Sequence, residues 1–406
     1  MTNQSSSRTN FLPGARWTLP TLILISLIVN VEPSFYSLSW ANWAGIFLLA
    51  IFGVATRTST NNTFIPTWLA VVGCSSLLAA LNGSLNLGRD DRLPLYWWAI
   101  NGLATYLIFR LITGGRIRYE NLRNASAIVS CILTASYLFN RQAELGWNWQ
   151  RIWTNVTLTD DYLQTSVLIS IGTIALFDIV KTNIIRRKVA PLADTYLRAV
   201  IVYLAISFNI LALILLGSRI SFPTLAIGFI FLNPYNVSLA RRILPILAST
   251  SLLLFVLNFS EQLKNEYMNR FLQSNRIEQF NTIRRLDIVA IAWDNVKSNP
   301  LGLGWDSLTV INETLRFELV RASHNQILAT LLMLGWIGGL LILIANLSII
   351  LKAVKNPGKS DLRFIASCLV MWQVTGLVNS SWEGPLYFSH QMIFILLGLY
   401  LRNKNA

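Results

Sequence analysis

Two histidines are the side chains in this sequence best suited to proton transfer, because an unperturbed imidazole titrates near neutral pH. His324 lies in the stretch Arg–Ala–Ser–His–Asn–Gln, immediately before a long apolar run. His390 lies near the start of the last apolar run. A histidine at such a boundary either caps a helix or acts as a general base. For His324 the second interpretation requires further functional groups nearby.

Two arginine-containing segments supply such groups. Arg219 stands in Leu–Gly–Ser–Arg–Ile–Ser, between two apolar runs and without an acidic neighbour in the sequence. Arg285 begins an amphipathic stretch that predicts a helix over residues 285–298, ended by Pro300 and followed by Gly302–Leu–Gly304. A guanidinium at a membrane boundary either extends towards lipid head groups or binds an anion. Both interpretations stay open for these two arginines.

Three further arginines are secondary candidates for the same role, namely Arg284, Arg321 and Arg89. Arg89 and its neighbour Arg92 flank Asp90–Asp91, so a simple surface ion pair explains them equally well. The pairs Asp90–Asp91 and Asp160–Asp161 are also possible ligands of a divalent metal. The second pair lies at the start of a predicted helix, where carboxylates stabilise the helix dipole in any case.

Familiar signatures of soluble enzymes are absent from the sequence. There is no phosphate-binding glycine loop with lysine, no HExxH, no paired CxxC and no GxSxG. The three cysteines, Cys74, Cys131 and Cys368, all lie in apolar runs without metal-ligand spacing. We therefore interpret the cysteines as packing residues and expect no cofactor. A divalent metal at the aspartate pairs stays open at this point.

The composition predicts an integral membrane protein that holds these groups between helices. Of the 406 residues, 53% are apolar and only 13% are charged, and the mean hydropathy is +0.50. This exceeds what a soluble domain can bury. Twelve apolar segments predict an all-α, polytopic fold with about twelve transmembrane helices. The segments are 18–31, 38–55, 64–81, 93–112, 122–140, 163–180, 199–216, 220–232, 243–259, 325–351, 364–380 and 386–401.

The distribution of charge predicts which side each loop occupies. With the N-terminus inside, the cytoplasmic loops hold 20 of the 33 basic residues but only four of the 19 acidic residues. Positive loops stay cytoplasmic, so both termini are predicted to be cytoplasmic. The net charge of +14 is then a topology signal, and we expect no nucleic-acid partner. One long external segment results, at 260–323, and it carries Arg285.

Four regions result from this division. They are a disordered cytoplasmic tail at 1–16, N-terminal transmembrane helices at 17–198, a core at 199–351 that includes the external segment 260–323, and C-terminal transmembrane helices at 352–406. Both Arg219 and Arg285, together with His324, fall within the core. The sequence therefore concentrates its candidate chemistry in one region of about 150 residues.

The core resembles the O-antigen ligase and O-antigen polymerase superfamily. The resemblance rests on Gly217–Ser–Arg219 before a helix, on Arg285 ahead of Pro300 and the Gly302–Leu–Gly304 turn, and on Ser–His324–Asn before an apolar helix with Leu–Gly–Trp–Ile–Gly–Gly at 334–339. It implies a GT-C-like fold in the inner membrane and an active site on the external face. It further implies a metal-independent glycosyltransferase. Its partners would be a polyprenyl (undecaprenyl) diphosphate-linked glycan donor, a lipid or glycan acceptor, and membrane lipids.

The same resemblance assigns a role to each of the three main residues. His324 is the implied general base, which takes the proton of the acceptor hydroxyl. Arg219 and Arg285 are the implied diphosphate ligands, since a forked guanidinium stabilises the charge that develops on the leaving group. Ligase and polymerase need the same chemistry, so the sequence does not separate them.

Two other classes remain as alternatives. A twelve-helix transporter or lipid-linked glycan flippase matches the helix number, but no charged residue lies near the middle of any predicted helix, where ion coupling usually places one. A non-catalytic assembly scaffold is the third possibility. Tolerance of His324→Ala would indicate the scaffold.

Overall fold

Described parts of the chain cover most of the predicted helices. The computed structural model describes residues 18–28, 40–55, 64–87, 93–145, 162–185, 192–218, 220–233, 250–251, 261, 264–265, 276–304, 325–377 and 387–404. The predicted helix at 243–259 lies outside these ranges apart from 250–251. Each of the other eleven predicted segments contains a described helix.

Twelve helices of ten residues or more lie in the described part of the chain, which contains no strand. The predicted all-α class is thereby confirmed. The helices are α1 (Leu19–Ile28), α2 (Trp40–Ala55), α3 (Phe64–Leu87), α4 (Leu93–Thr113), α5 (Tyr119–Leu145), α6 (Tyr162–Ile185), α7 (Leu192–Leu216), α8 (Ser221–Leu232), α9 (Arg276–Ser298), α10 (Gln326–Lys355), α11 (Ser360–Gly376) and α12 (Tyr387–Lys404).

Four stretches within these helices are long and apolar enough to cross a membrane. They are Tyr119–Gln142 in α5, Gln164–Thr182 in α6, Ala199–Leu216 in α7 and Gln326–Lys355 in α10. The described part of the chain also contains shorter apolar helices, including α1 and α8. These helices fit a membrane protein, and the number of twelve membrane spans stays a prediction.

Several helices continue beyond the apolar segments that predict them. The clearest case is α3, which extends to Leu87 although its apolar segment ends at Leu81. Hydropathy predicts residues 82–87 in an external loop, and they form the last turns of this helix instead. Similarly, α7 begins at Leu192 and crosses the predicted boundary at 198/199. Polar residues prolong a helix because backbone hydrogen bonding does not depend on hydropathy.

A single large apolar cluster joins helices α1 to α8 with α10 to α12. Inside it, the side chain of Asn209 in α7 is fully buried and hydrogen-bonded on both sides of its amide. Its Nδ2 donates to Ser130 Oγ at 3.0 Å and to Thr173 Oγ1 at 3.2 Å, and its Oδ1 accepts from Thr134 Oγ1 at 2.8 Å. Asn209 therefore ties α7 to both α5 and α6 within the apolar core.

Candidate functional site

A short connection between α7 and α8 carries the first predicted arginine. Gly217 ends α7 with a left-handed φ of 62°, and its N–H donates to the carbonyl of Ile214 at 3.0 Å. Ser218 is buried and accepts a hydrogen bond from Ser166 Oγ of α6 at 3.2 Å. Arg219 itself lies outside the described residues, between Ser218 and Ile220. Both of its neighbours are thus held at the ends of α6, α7 and α8.

Arg285 belongs to α9, a helix in the predicted external segment. The inward face of α9 consists of Ile288, Ala292 and Val296, which are almost completely buried against α10 and Leu303. Arg285 precedes Ile288 by one turn, so helical periodicity puts it on the same side of the helix. Its side chain is half-buried. The charge is therefore kept next to the α9–α10 contact and still reaches solvent.

The partner of α9 is a broken helix. Gly335 has φ 67° and ψ −175°, and it interrupts the hydrogen bonding of α10. The segment that follows α9 fills the interruption: the N–H of Leu303 donates to the carbonyl of Leu332 at 2.6 Å, and the N–H of Trp336 donates to the carbonyl of Pro300 at 2.9 Å. Both halves of α10 thus satisfy backbone groups through one loop.

Two side chains of α3 complete this contact. Ser75 Oγ donates to the carbonyl of Leu334 at 2.8 Å, and Asn82 Nδ2 donates to the carbonyl of Gly302 at 2.7 Å. We call residues 299–304 and 332–336, with Ser75 and Asn82, the loop–helix junction. It fixes α9, and hence Arg285, to α3 and α10.

The backbones meet directly at two glycines of the junction. A Cβ atom on Gly302, whose φ is 86°, would overlap the backbone nitrogen of Gly335. A Cβ atom on Gly335 would in turn overlap the carbonyls of Pro300 and Leu301. Only glycine allows both the left-handed conformation and this close approach.

His324 immediately precedes α10 and lies outside the described residues. The next residue, Asn325, caps the helix: its Oδ1 accepts from the N–H groups of Ile327 at 3.0 Å and Leu328 at 3.2 Å. The start of α10 is therefore fixed by its own cap.

A buried amide pair links the start of α10 to α12. Gln326 Nε2 donates to Gln391 Oε1 at 3.2 Å, and both side chains are almost completely buried. Within the described residues, Gln326 Oε1 and Gln391 Nε2 have no hydrogen-bond partner. The pair thus leaves one hydrogen-bond acceptor and one donor without partners at the start of α10. His324 immediately precedes this helix in the sequence.

Helix α11 contacts both the helix that follows Arg219 and the helix that follows His324. Thr224, in the first turn of α8, shares a 3.1 Å hydrogen bond with Thr375 of α11. The following residue, Gly376, touches Gln326 so closely that a Cβ atom on it would overlap Oε1. The helix that follows Arg219 and the helix that follows His324 therefore meet through the last turn of α11. We call this end of the bundle the site end.

Of the six predicted site residues, Arg285 is the one whose side chain the structure describes. Arg284 lies in α9, and its side chain is outside the described set, as are Arg89, Arg219, Arg321 and His324. The same holds for the Asp90–Asp91 and Asp160–Asp161 pairs. The described residues contain no group of three potential metal ligands. The structure thus brings together the elements that flank the predicted residues, and the predicted side chains other than Arg285 lie outside the described set.

Sequence reasoning misses several residues near these elements. The apolar segment that predicts α5 ends at residue 140, so Arg141 is expected in a loop, yet it lies in α5 and is 6% exposed. Ser75, Asn82 and the Gln326–Gln391 pair are not among the predicted site residues. The glycine-rich Leu–Gly–Trp–Ile–Gly–Gly stretch is the available signal for the break at Gly335. No comparable signal marks the polar residues of α3, since their partners lie more than 200 residues away.

Comparison with known families matches residues 202–343 to the family described as O-Antigen ligase. The matched segment is about a third of the chain, and it contains Arg219, Arg285 and His324 as well as residues 299–304 and 332–336 of the loop–helix junction. The predicted resemblance is confirmed over this segment. A comparison with curated proteins finds no match. The family match supports a glycan-processing function at a membrane, of O-antigen ligase or polymerase type.

Proposed function

We propose that this protein transfers a glycan from a polyprenyl diphosphate carrier to an acceptor hydroxyl on the external face of the inner membrane. The observation that carries the proposal is the contact between the elements that flank the three predicted site positions. Arg285 is attached through α9 to the loop–helix junction, and the flanks of Arg219 and His324 meet through α11. In this proposal, three separate segments hold two arginines and a histidine around the start of α10.

The proposed reaction uses each residue once. The acceptor oxygen attacks the anomeric carbon of the donor sugar, and the bond between that carbon and the diphosphate oxygen breaks. His324 takes the proton of the acceptor hydroxyl. Arg219 and Arg285 stabilise the negative charge that the leaving polyprenyl diphosphate acquires. The products are the new glycoside and the carrier diphosphate, so no redox partner is required.

The length of α10 supports a position of this chemistry at a membrane boundary. From Trp336 to Lys355, α10 has 20 residues and spans about 30 Å, which equals the thickness of a hydrocarbon core. The loop–helix junction would then lie at one boundary, where a lipid-anchored diphosphate is accessible. Net positive charge at the other end favours the external side for the junction.

A transporter or flippase of lipid-linked glycans is the second candidate. The break in α10 favours it, because transporters commonly bind their substrates at discontinuous helices. Unlike those sites, however, this break is filled by the protein's own loop. A transporter would also require no base at position 324.

The decisive test measures surface glycans in a strain that lacks the protein. The strain is complemented with wild type, His324→Ala, Arg219→Ala or Arg285→Ala, and glycan ladders are normalised to the amount of protein in the membrane. Lys297→Ala is the matched control, since Lys297 is an exposed cation on the same helix as Arg285. Loss of conjugated glycan with accumulation of long lipid-linked chains identifies a ligase, and a ladder reduced to single repeats identifies a polymerase.

A purified assay separates the enzyme from the transporter. With a polyprenyl diphosphate-linked donor in detergent, the enzyme forms the conjugated product without a membrane barrier, and it does so in the presence of EDTA. A transporter forms none under these conditions. Wild-type behaviour of all three variants in both assays would overturn the catalytic assignment.

A further inference from the structure

A second charged group lies at the opposite end of the bundle from the site end. It consists of Arg123 in the second turn of α5, Lys181 in the last turns of α6 and Arg363 in the first turn of α11. We call these three residues the cation cluster. The α5–α6 and α11–α8 contacts bring the four helix ends together at this point.

The cation cluster surrounds one buried carboxylate. Arg123 Nη1 lies 3.2 Å from Asp178 Oδ2, and both side chains are largely buried. Asp178 also interacts electrostatically with Lys181 and Arg363. Lys181 Nζ donates in addition to the carbonyl of Leu232 at 3.3 Å, at the end of α8. One buried carboxylate is thus ion-paired with Arg123 and lies within electrostatic range of Lys181 and Arg363.

Arg363 has the least complete hydrogen bonding of the three, although Arg123 Nε is also buried without a partner within the described residues. The side chain of Arg363 is 7% exposed, and within the described residues its Nε and Nη1 have no hydrogen-bond partner. Asp361, two residues earlier, acts on Arg363 through space, but its Oδ1 accepts from the N–H of Leu362 at 2.8 Å. Leaving guanidinium donors buried and unused costs free energy unless an acceptor fills the place.

The dipoles of α5 and α11 also favour an anion near the cation cluster. Arg123 and Arg363 both lie near helix N-termini, where the partial positive charge of the helix repels a cation and attracts an anion. The neighbouring segment 183–198 adds four basic residues and a single acidic one in the sequence. An anion between α5 and α11 would therefore be attracted by the guanidinium groups and by the two helix ends.

We propose that the cation cluster binds a phosphate group, supplied either by the head group of an anionic phospholipid or by free phosphate. A phosphate offers several acceptor oxygens to the fork of Arg363, which suits guanidinium geometry. Arginine pockets between helices at the cytoplasmic side are a recurrent site for lipid head groups. A phosphate bound at the cation cluster would stabilise the fold at the end of the bundle opposite the site end.

The test uses the purified full-length protein and two sources of phosphate. Thermal unfolding is followed in nanodiscs of phosphatidylcholine, in nanodiscs containing phosphatidylglycerol, and in phosphatidylcholine nanodiscs with sodium phosphate against sodium chloride of equal ionic strength. We expect phosphatidylglycerol, phosphate or both to raise the Tm of wild type by about 2–4 °C. A rise with phosphatidylglycerol alone identifies the lipid as the source, and a rise with phosphate alone identifies the free anion.

Arg363→Gln is the diagnostic variant, and Lys355→Gln is its matched control. Lys355 is an exposed cation five residues before α11, at the same end of the bundle. Arg363→Gln should lose the anion-dependent rise and, without anions, should unfold at or above the wild-type Tm because buried guanidinium donors that lack an acceptor are gone. Lys355→Gln should keep the wild-type response.

Two results would overturn the proposal. One is a wild-type Tm that responds to neither source of phosphate, and the other is an Arg363→Gln variant that still responds. Should Arg363→Gln not yield folded protein, Arg363→Lys keeps the charge but loses the fork. Native mass spectrometry of that variant should then show fewer bound phosphatidylglycerol molecules than wild type, and equal occupancy would count against the site.

Discussion

At the scale of single residues, Arg285 offers the sharpest test of the proposed diphosphate site. A charge-assisted hydrogen bond contributes about 1.5–3 kcal/mol, so Arg285→Ala should lower kcat/KM for the donor by about 10- to 100-fold. Arg285→Lys should fall between this variant and wild type, because a lysine keeps the charge and loses the bidentate geometry. The measurement is the initial rate of glycan transfer by purified protein.

Lys297→Ala controls for the removal of a cation from α9. Lys297 is exposed and paired with Asp294 at 2.8 Å on the outer surface, where such a pair contributes little to stability. The kcat/KM of the Lys297→Ala variant for the donor should stay within about twofold of wild type. Equal losses for Arg285→Ala and Lys297→Ala would mean that the positive charge of the helix as a whole, and not Arg285, attracts the donor.

The Gln326–Gln391 pair yields a prediction about stability at the site end. Removing one amide leaves the other buried without a partner, so Gln326→Leu and Gln391→Leu should each lower the free energy of unfolding by about 1–3 kcal/mol. Removing both should cost less than the sum, since two apolar side chains leave no amide unpaired. Unfolding of the four proteins in one detergent measures the coupling. Strict additivity would show that the hydrogen bond contributes nothing.

At the scale of elements, the loop–helix junction predicts that its glycines differ from other glycines of the chain. An alanine in the left-handed region costs about 1–2 kcal/mol from its own conformation. Gly302→Ala and Gly335→Ala must also separate two backbones in contact, so each should reduce folded protein far more than this cost implies. The readouts are Tm and the amount of folded protein after purification.

Two glycines separate these contributions. Gly115 has φ 69° and no atom within 4 Å of a Cβ, so Gly115→Ala measures the conformational cost alone. Gly102 lies within α4 with the same free space and no left-handed φ, so Gly102→Ala should be neutral or stabilising by up to about 1 kcal/mol. A Gly302→Ala protein as stable as Gly115→Ala would contradict the backbone contact.

The break in α10 also shows where sequence reasoning reaches its limit. The end of α9 is predictable because Pro300 cannot continue a helix, and α9 does end at Ser298. The interruption at Gly335 is only partly signalled. The glycine-rich stretch at 334–339 marks where a break fits, but residues 325–351 are almost continuously apolar, and hydropathy carries no information about backbone hydrogen bonds. The break depends on Pro300 and Leu303, which are distant in sequence and adjacent in space.

The residues of the candidate site also fall into those that the sequence predicts and those that it does not. Arg219, Arg285 and His324 are recognisable because each stands in a short local pattern. Arg141 and the Gln326–Gln391 pair have no such pattern, and only the packing of helices shows that they are buried. Local residue types thus indicate the chemistry, while the contacts that orient it come from residues of other helices.

At the scale of the whole molecule, the helix lengths and the charge distribution make one prediction about sidedness. The part of α10 from Trp336, in the loop–helix junction, to Lys355 has 20 residues, and its length of about 30 Å matches the hydrocarbon core. Lys297 lies next to the junction, so it should face the opposite side from Lys355. The basic excess near Lys355 predicts that this side is cytoplasmic.

Cysteine labelling tests that prediction, because Lys297 and Lys355 are both exposed and are predicted to face opposite sides of the membrane. In a protein whose native cysteines Cys74, Cys131 and Cys368 are replaced by alanine, Lys297→Cys should react with a membrane-impermeant maleimide on intact cells. Lys355→Cys should react only after the inner membrane is permeabilised. Reaction of both on intact cells would contradict a full membrane span by α10. The reversed pattern would put the proposed site in the cytoplasm, where an acceptor on the outer face could not reach His324.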